Sequence, residues 1–208
     1  METTPLNPWF SMWAHPRRTI RQIVATNPDR LVLLLAAVGG IVQGLTSSAN
    51  KSQGDRISLS VILLVNLMIG PVMGIIGLWV GGALLRWTGG WIGGQADSRH
   101  VRTAIAWSNV PQVWGLLLWI PAILLFGAEL FTTATPIIEA SSLLSALYLV
   151  FSVGTMAIGI WSFVVCLHAL GEVQGFSAWK ALLNTILAMM VVLIPLLVII
   201  GILIWLGK

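Results

Sequence analysis

The sequence predicts an all-α membrane protein. It has five transmembrane helices and an N-terminal interfacial amphipathic helix, with the N-terminus cytoplasmic and the C-terminus outside. Three observations carry this reading. Of 208 residues, 57% are hydrophobic and only 9% charged, whereas an ordinary soluble domain has about a quarter charged residues. The chain therefore cannot build a water-facing surface for a globule of its size, which excludes a soluble enzyme. The apolar residues gather into five runs, each long enough for the roughly 20 residues that cross about 30 Å of hydrocarbon. The basic residues fall between those runs, as membrane-flanking charge does. The net charge of +4 is thus not a folded basic patch, and no nucleic-acid partner is expected.

Residues 1–30 form the cytoplasmic N-terminal interfacial segment, and residues 31–208 the five-helix transmembrane domain. In the first, Pro8 to Val24 reads PWFSMWAHPRRTIRQIV, an interfacial helix interrupted near Pro16. Trp9, Phe10, Met12, Trp13, Ile20 and Val24 are expected to dip into lipid, while Arg17, Arg18 and Arg21 meet anionic headgroups. The following apolar run has no short core with a clear small-residue cleavage site after it, so it is expected to be an uncleaved first span and not a secretory signal.

That first span runs from Leu31 to about Ser48. The second, about Leu59 to Leu85, is about 40 Å long at about 1.5 Å per residue, so it must tilt or emerge from the bilayer. The third, about Ala104 to Gly127, contains Pro111 and Pro121, which a membrane helix absorbs by local bending. The fourth runs from about Leu143 to Leu170. The fifth, about Ala181 to Leu206, carries Pro195 in its middle. With the N-terminus inside, Arg17, Arg18, Arg21, Arg30, Arg86, Arg99, Arg102 and Lys180 are cytoplasmic. Only Lys51, Arg56 and Lys208 of the 11 basic residues are then outside, the bias expected of a cytoplasmic N-terminus. The loop from Glu129 to Glu139 has no basic residue and falls outside under the same assignment.

Glycines 70, 74, 77 and 81 place a side-chain-free stripe along one helix face of the second span. Such stripes let backbones approach closely in lipid. The stripe is expected to serve helix packing within the chain or between copies, and Leu at Gly74 or Gly77 is expected to disrupt it. Gly40 and Gly44 repeat the spacing in the first span. Between the second and third spans, RWTGGWIGGQADSRHVRTAIAWSNVP gives a glycine-rich turn flanked by Trp87 and Trp91. It lacks the GxxxxGK[ST] pattern of a phosphate loop. The helix is expected to resume after Asp97 or Ser98 as N-cap.

Nothing in the chain signals catalysis or a cofactor. The lone Cys166 permits neither an internal disulfide nor a multi-thiolate metal site. His168 and Glu172 stand four residues apart, a spacing that puts them on one helix face. With His100 and Asp97 they are the chain's best metal or proton candidates, without a paired ligand motif. Ser177 and Lys180 match SxxK, but the SDN and KTG partners of that nucleophile motif are missing. No Asp, Glu, Lys or Arg lies near the centre of any span. The in-span amides Gln43, Asn66, Asn109, Gln112 and Asn184 are of the kind that joins helices by hydrogen bonds.

Three segments together carry a family resemblance: WAHPRRTIRQIV before the first span, GGWIGGQA followed by AIAWSNVP, and LGEVQGFSAWKAL before the fifth. Over nearly the whole chain, from about Trp9 to Trp205, the sequence resembles the bacterial branch of the Yip family, the Ypt/Rab-GTPase-interacting proteins. The resemblance implies a five-span membrane protein with a cytosolic N-terminus. Eukaryotic members are associated with Rab-type GTPase binding, vesicle traffic and oligomer formation. Their acidic, proline-rich N-terminus and DLYGP motif do not occur here, so GTPase binding is not carried over.

The expected function is that of a non-enzymatic, multi-pass protein of a bacterial inner membrane. It binds other membrane proteins or lipids through its cytoplasmic face and self-associates. Its expected docking face comprises Trp107, Ser108, Asn109 and Pro111, with Glu172, Phe176, Trp179 and Lys180. The alternative is a transporter or channel for an ion, small solute or lipid. It would use Gln43, Asn66, Asn109, Asn184 and the His168 and Glu172 pair.

Overall fold

A computed structural model describes residues 5–206, and the regular structure among them is entirely helical. Lys208, expected at the outer end, lies outside the described residues. Two short helices, α1 (Pro8–Ala14) and α2 (Pro16–Thr26), precede α3 (Val32–Asn50) and α4 (Leu59–Trp91). Then come α5 (Ser98–Ser108), α6 (Val110–Phe126), the single turn α7 (Pro136–Glu139), α8 (Ser142–Gln174) and α9 (Ala178–Leu206). Five segments are long and apolar enough to cross a membrane: α3, α4, the α5–α6 stretch from Ser98 to Phe131, α8 and α9. These are the five expected spans, extended at most of their ends.

Local chemistry accounts for the breaks. α1 and α2 part at His15, where Pro16 begins the next helix and cannot donate a backbone bond. Asp97 caps α5 by accepting from the His100 N–H at 2.7 Å. The third span divides at Asn109, with Pro111 in the first turn of α6, where a missing N–H costs nothing. Pro71, Pro121 and Pro195 lie inside continuous helices. α8 stops at Gly175, whose φ of +74° is left-handed. The Phe176 N–H then returns to Gly171 O at 2.6 Å and the Gly175 N–H to Glu172 O at 3.3 Å, the paired bonds of a glycine-terminated helix.

α3 and α4 approach most closely, and glycines permit it. A methyl group on Gly40 would collide with the Gly70 carbonyl and stand 2.8 Å from Gly74 Cα. One on Gly74 would collide with the Ala36 carbonyl. The stripe divides there: no atom lies within 4 Å of where a Cβ would stand on Gly77 or Gly81. Gly77 and Gly81 therefore do not pack helices within the chain, and the expected disruption by Leu at Gly77 lacks a clash to cause it.

Two amides join helices. Asn66 donates to Ser48 Oγ at 3.0 Å and Ile62 O at 2.8 Å. Asn184 donates to Leu85 O at 2.9 Å and accepts from Thr88 Oγ1 at 2.6 Å. This second group ties α9 to α4, where α9 buries only Ala181, Asn184 and Ala188. A double-mutant cycle with Thr88→Val and Asn184→Leu is expected to give a coupling of about 0.6–1.7 kcal/mol, the range of such bonds in membrane helices. Thermal unfolding in detergent reads it, and additive single effects would show that the two residues act independently.

At the end bearing Asn50 and Lys51, acidic groups hold loops. Asp55 accepts from the Thr133 hydroxyl at 2.6 Å and its N–H at 3.0 Å. These bonds, the hydroxyl's first, keep the Asp55 carboxyl below its ordinary range. Buried Glu129 accepts from the Ile137 and Ile138 N–H groups at 2.8 and 2.9 Å, capping α7. The core has two main parts. One lies here around Ile62, Trp119, Phe126 and Phe131. The other, at the opposite and more basic end, gathers Met12, Ile20, Leu35, Trp107, Val110 and Val165.

The second cluster corrects one expectation. Met12 and Ile20 are fully buried, so the apolar side of α1 and α2 faces the bundle, against α5, α6 and α8. Phe10 alone among the expected lipid-dipping residues is largely exposed, at 64%. Residues on both sides of the expected boundary near residue 30 thus share one core cluster.

Candidate functional site

The basic end is assembled from α1, α2, the α4–α5 turn and the α8–α9 junction. Glu172, in the last turn of α8, is its centre. Arg17 Nη1 lies 3.4 Å from Glu172 Oε2, and Arg21 donates through Nε to Oε1 at 2.7 Å. Arg17 also donates through Nη2 to the Phe176 carbonyl at 3.0 Å. Side-chain exposure is 14% for Glu172, 38% for Arg17 and 69% for Arg21. One carboxylate therefore clasps two arginines from the N-terminal segment onto the helix junction. Arg17 and Arg21, expected to meet headgroups, thus also bond to protein, Arg21 with most of its side chain still exposed, and Arg18 is exposed.

Three indole N–H groups strengthen the same attachment. Trp107 Nε1 donates to Arg30 O at 3.1 Å, Trp161 Nε1 to Trp13 O at 3.2 Å and Trp114 Nε1 to Trp9 O at 3.4 Å. Trp9 also meets the Trp107 ring edge-on, with centroids 6.0 Å apart. Asp29 pairs with Arg99. That hydrogen bond holds the Asp29 carboxyl below the usual carboxylate range.

This geometry redistributes the expected docking residues. A docking face needs accessible side chains. Trp107 has no exposed surface, Phe176 only 5%, and Ser108 and Pro111 are also buried. Glu172 is engaged in the clasp. Of the set, Trp179 and Lys180 remain on the surface, with Trp179 81% exposed. Lys180 Nζ sits 4.7 Å from the Phe176 ring and 3.9 Å from the position of a Cβ on Gly93. The start of α9 thus lies beside the α4–α5 turn. Exposed Trp87 and Trp91 pair edge-on nearby, 5.0 Å apart.

Other expected constellations separate. His168 and Glu172 do not bond to each other, since Glu172 turns to the arginines and His168 Nδ1 is buried without a partner. Among the described residues, no three His, Cys, Asp or Glu side chains come close enough to hold a metal ion. Gln43, Asn109 and Gln112 line a cleft between helices, whereas Asn66 and Asn184 bond across helix contacts.

The clasp and the indole tethers were missed at the level of sequence. A boundary glutamate in a chain with only seven acidic residues was the available signal. Its partners stand about 150 residues away in sequence, and only folding brings them together.

A family model described as the Yip1 domain matches residues 10–200. No curated protein and no solved structure matches the chain. The matched region spans α2 to α8, most of α1 and of α9, and both halves of the clasp. The chain is accordingly a multi-pass membrane protein, and it belongs to the Yip1 domain family.

Proposed function

We propose that the protein is a non-enzymatic member of the bacterial branch of the Yip family. It sits in the cytoplasmic membrane with its N-terminus inside, binds other membrane proteins or lipids through its basic end, and self-associates. The observation that carries this reading is the surface of Trp87, Trp91, Trp179 and Lys180, which the clasp leaves unused. Large aromatic side chains beside a cation supply contact area at low entropic cost and an attraction for acidic groups. Self-association draws on α9, where none of the residues from Met189 to Leu206 is buried.

The test is co-purification from native membranes in mild detergent, comparing wild type with the Trp179→Ala, Lys180→Ala variant by quantitative mass spectrometry. Proteins or lipids enriched with wild type and reduced about tenfold with the variant, a loss of about 1.4 kcal/mol, are the expected result. Identical recovery from both overturns the assignment of this surface. The transport alternative has one observation in its favour: Gln43 and Asn109 line a cleft. Its lining also takes in Ala36 and Leu78, members of the buried cluster of the basic end.

A further inference from the structure

The cleft itself points to a ligand, independently of the basic end. It has a volume of about 730 Å3 and lies between α3, α4, α6 and α8, within the roughly 300–1,000 Å3 of small-molecule sites. Its lining follows α3 from Ala36 to Asn50 and Lys51. At about 1.5 Å per residue that is roughly 22 Å along the helix, over half of a hydrocarbon core of about 30 Å.

Polar groups continue down the whole depth. Thr46 and Gln43 on α3 are joined in the lining by Asn109, Gln112 and Thr155. Such amides cannot be left without partners in hydrocarbon, where an unsatisfied group costs several kcal/mol. Asn66 and Asn184 satisfy theirs against neighbouring helices. Among the described residues, the side chains of Gln43, Asn109 and Gln112 make no hydrogen bond within the chain, and they line the cleft. Their N–H groups are open to a guest with hydrogen-bond acceptors.

The chemistry of the guest follows from the rest of the wall. Lys51 is the single ionised group in the lining, and no carboxylate accompanies it. Met73, Trp119 and Ile158 provide apolar wall beside the amides, which suits acyl chains. We propose that this cleft binds one anionic phospholipid, taken from the leaflet at the Lys51 end. Its phosphate lies at Lys51, and its ester and glycerol oxygens accept from the amide N–H groups.

Two glycines make the test sharp. Gly77 and Gly159 both line the cleft, and neither has an atom within 4 Å of its Cβ position. A Cβ at either site strikes nothing, so Leu has room at its base to extend into the cleft. Gly81 is equally open but is not part of the lining, so Gly81→Leu is the matched control.

The full-length protein is stripped of lipid in detergent, offered phosphatidylglycerol or phosphatidylethanolamine, and examined by native mass spectrometry. Wild type and Gly81→Leu are expected to retain one phosphatidylglycerol. Gly77→Leu is expected to bind it at least about tenfold more weakly, and Lys51→Gln to lose the preference over phosphatidylethanolamine. If Gly77→Leu fails to fold, Gly159→Leu is the second filling variant. Unchanged binding in the filling variants overturns the site. Wild type retaining no phosphatidylglycerol overturns the lipid and leaves water or a small solute. Equal retention of both lipids overturns the anionic assignment.

Discussion

Gly74→Leu is expected to lower sharply the melting temperature and the yield of folded, monodisperse protein, while Gly81→Leu, seven residues along the same helix, leaves both unchanged. The difference lies in what each side chain would meet. At Gly74 the obstacles are backbone, the Ala36 carbonyl and Gly40 Cα, which cannot rotate away as a side chain can. Relief requires α3 and α4 to separate, and with them the opposing Gly40 and Gly70 contacts. Overpacking that forces backbone shifts costs about 1–3 kcal/mol or more. Here the cost falls on a closely packed helix pair, against a total stability of about 5–15 kcal/mol. At Gly81 nothing stands in the way, and Leu is the better helix former. Gel filtration and thermal melting in detergent read both variants. A normal melting curve for Gly74→Leu would show that the glycine contact is not needed to hold the pair together.

The glycine stripe also shows how much of this protein could be read from its sequence. Period and composition place the spans well, because 57% hydrophobic residues interrupted by short basic gaps admit few other folds. Periodicity also puts four glycines on one face. It cannot say where α3 crosses that face and where it leaves, and the crossing covers Gly70 and Gly74 but not Gly77 or Gly81.

The N-terminal segment shows a second limit. An amphipathic helix has the same sequence pattern whether its apolar side meets lipid or protein, and Met12 and Ile20 meet protein. The WSNVP segment fails as a surface for a related reason. Trp107 is the largest fully buried side chain, and a family-like motif built around a tryptophan is as suited to packing as to docking. The in-span amides divide in the same way: Asn66 and Gln43 are alike in sequence setting, and only the helix arrangement gives one a partner and the other a cleft.

Glu172→Gln is expected to release α1 and α2 from the bundle while the five long helices stay folded. The substitution keeps shape and removes the charge, leaving Arg17 and Arg21 side by side without an anion. Arg21 is mostly exposed and contributes little, as surface pairs do. Arg17 is more enclosed and keeps its bond to the Phe176 carbonyl. The expected loss is therefore about 1–2 kcal/mol, at the lower end for charged hydrogen bonds. This raises the open population of the segment about five- to thirtyfold.

The buried Met12 and Ile20 continue to favour the docked state, so the segment opens more often without detaching permanently. Limited trypsin digestion reads the change, because Arg17, Arg18 and Arg21 become cleavable only when α2 opens. Where opening is fast relative to cleavage, the rate follows the open population. The same rate in wild type and variant would show that the tryptophan tethers and apolar contacts hold the segment alone. Replacing all three charges together, with Arg17→Met, Arg21→Met and Glu172→Leu, separates charge from packing. An apolar substitute for an enclosed ion pair is often neutral or stabilising, so cleavage after Arg18, the site that all three proteins keep, is expected to return toward the wild-type rate. A release caused only by lost packing at position 172 would not be restored by removing the arginine charges.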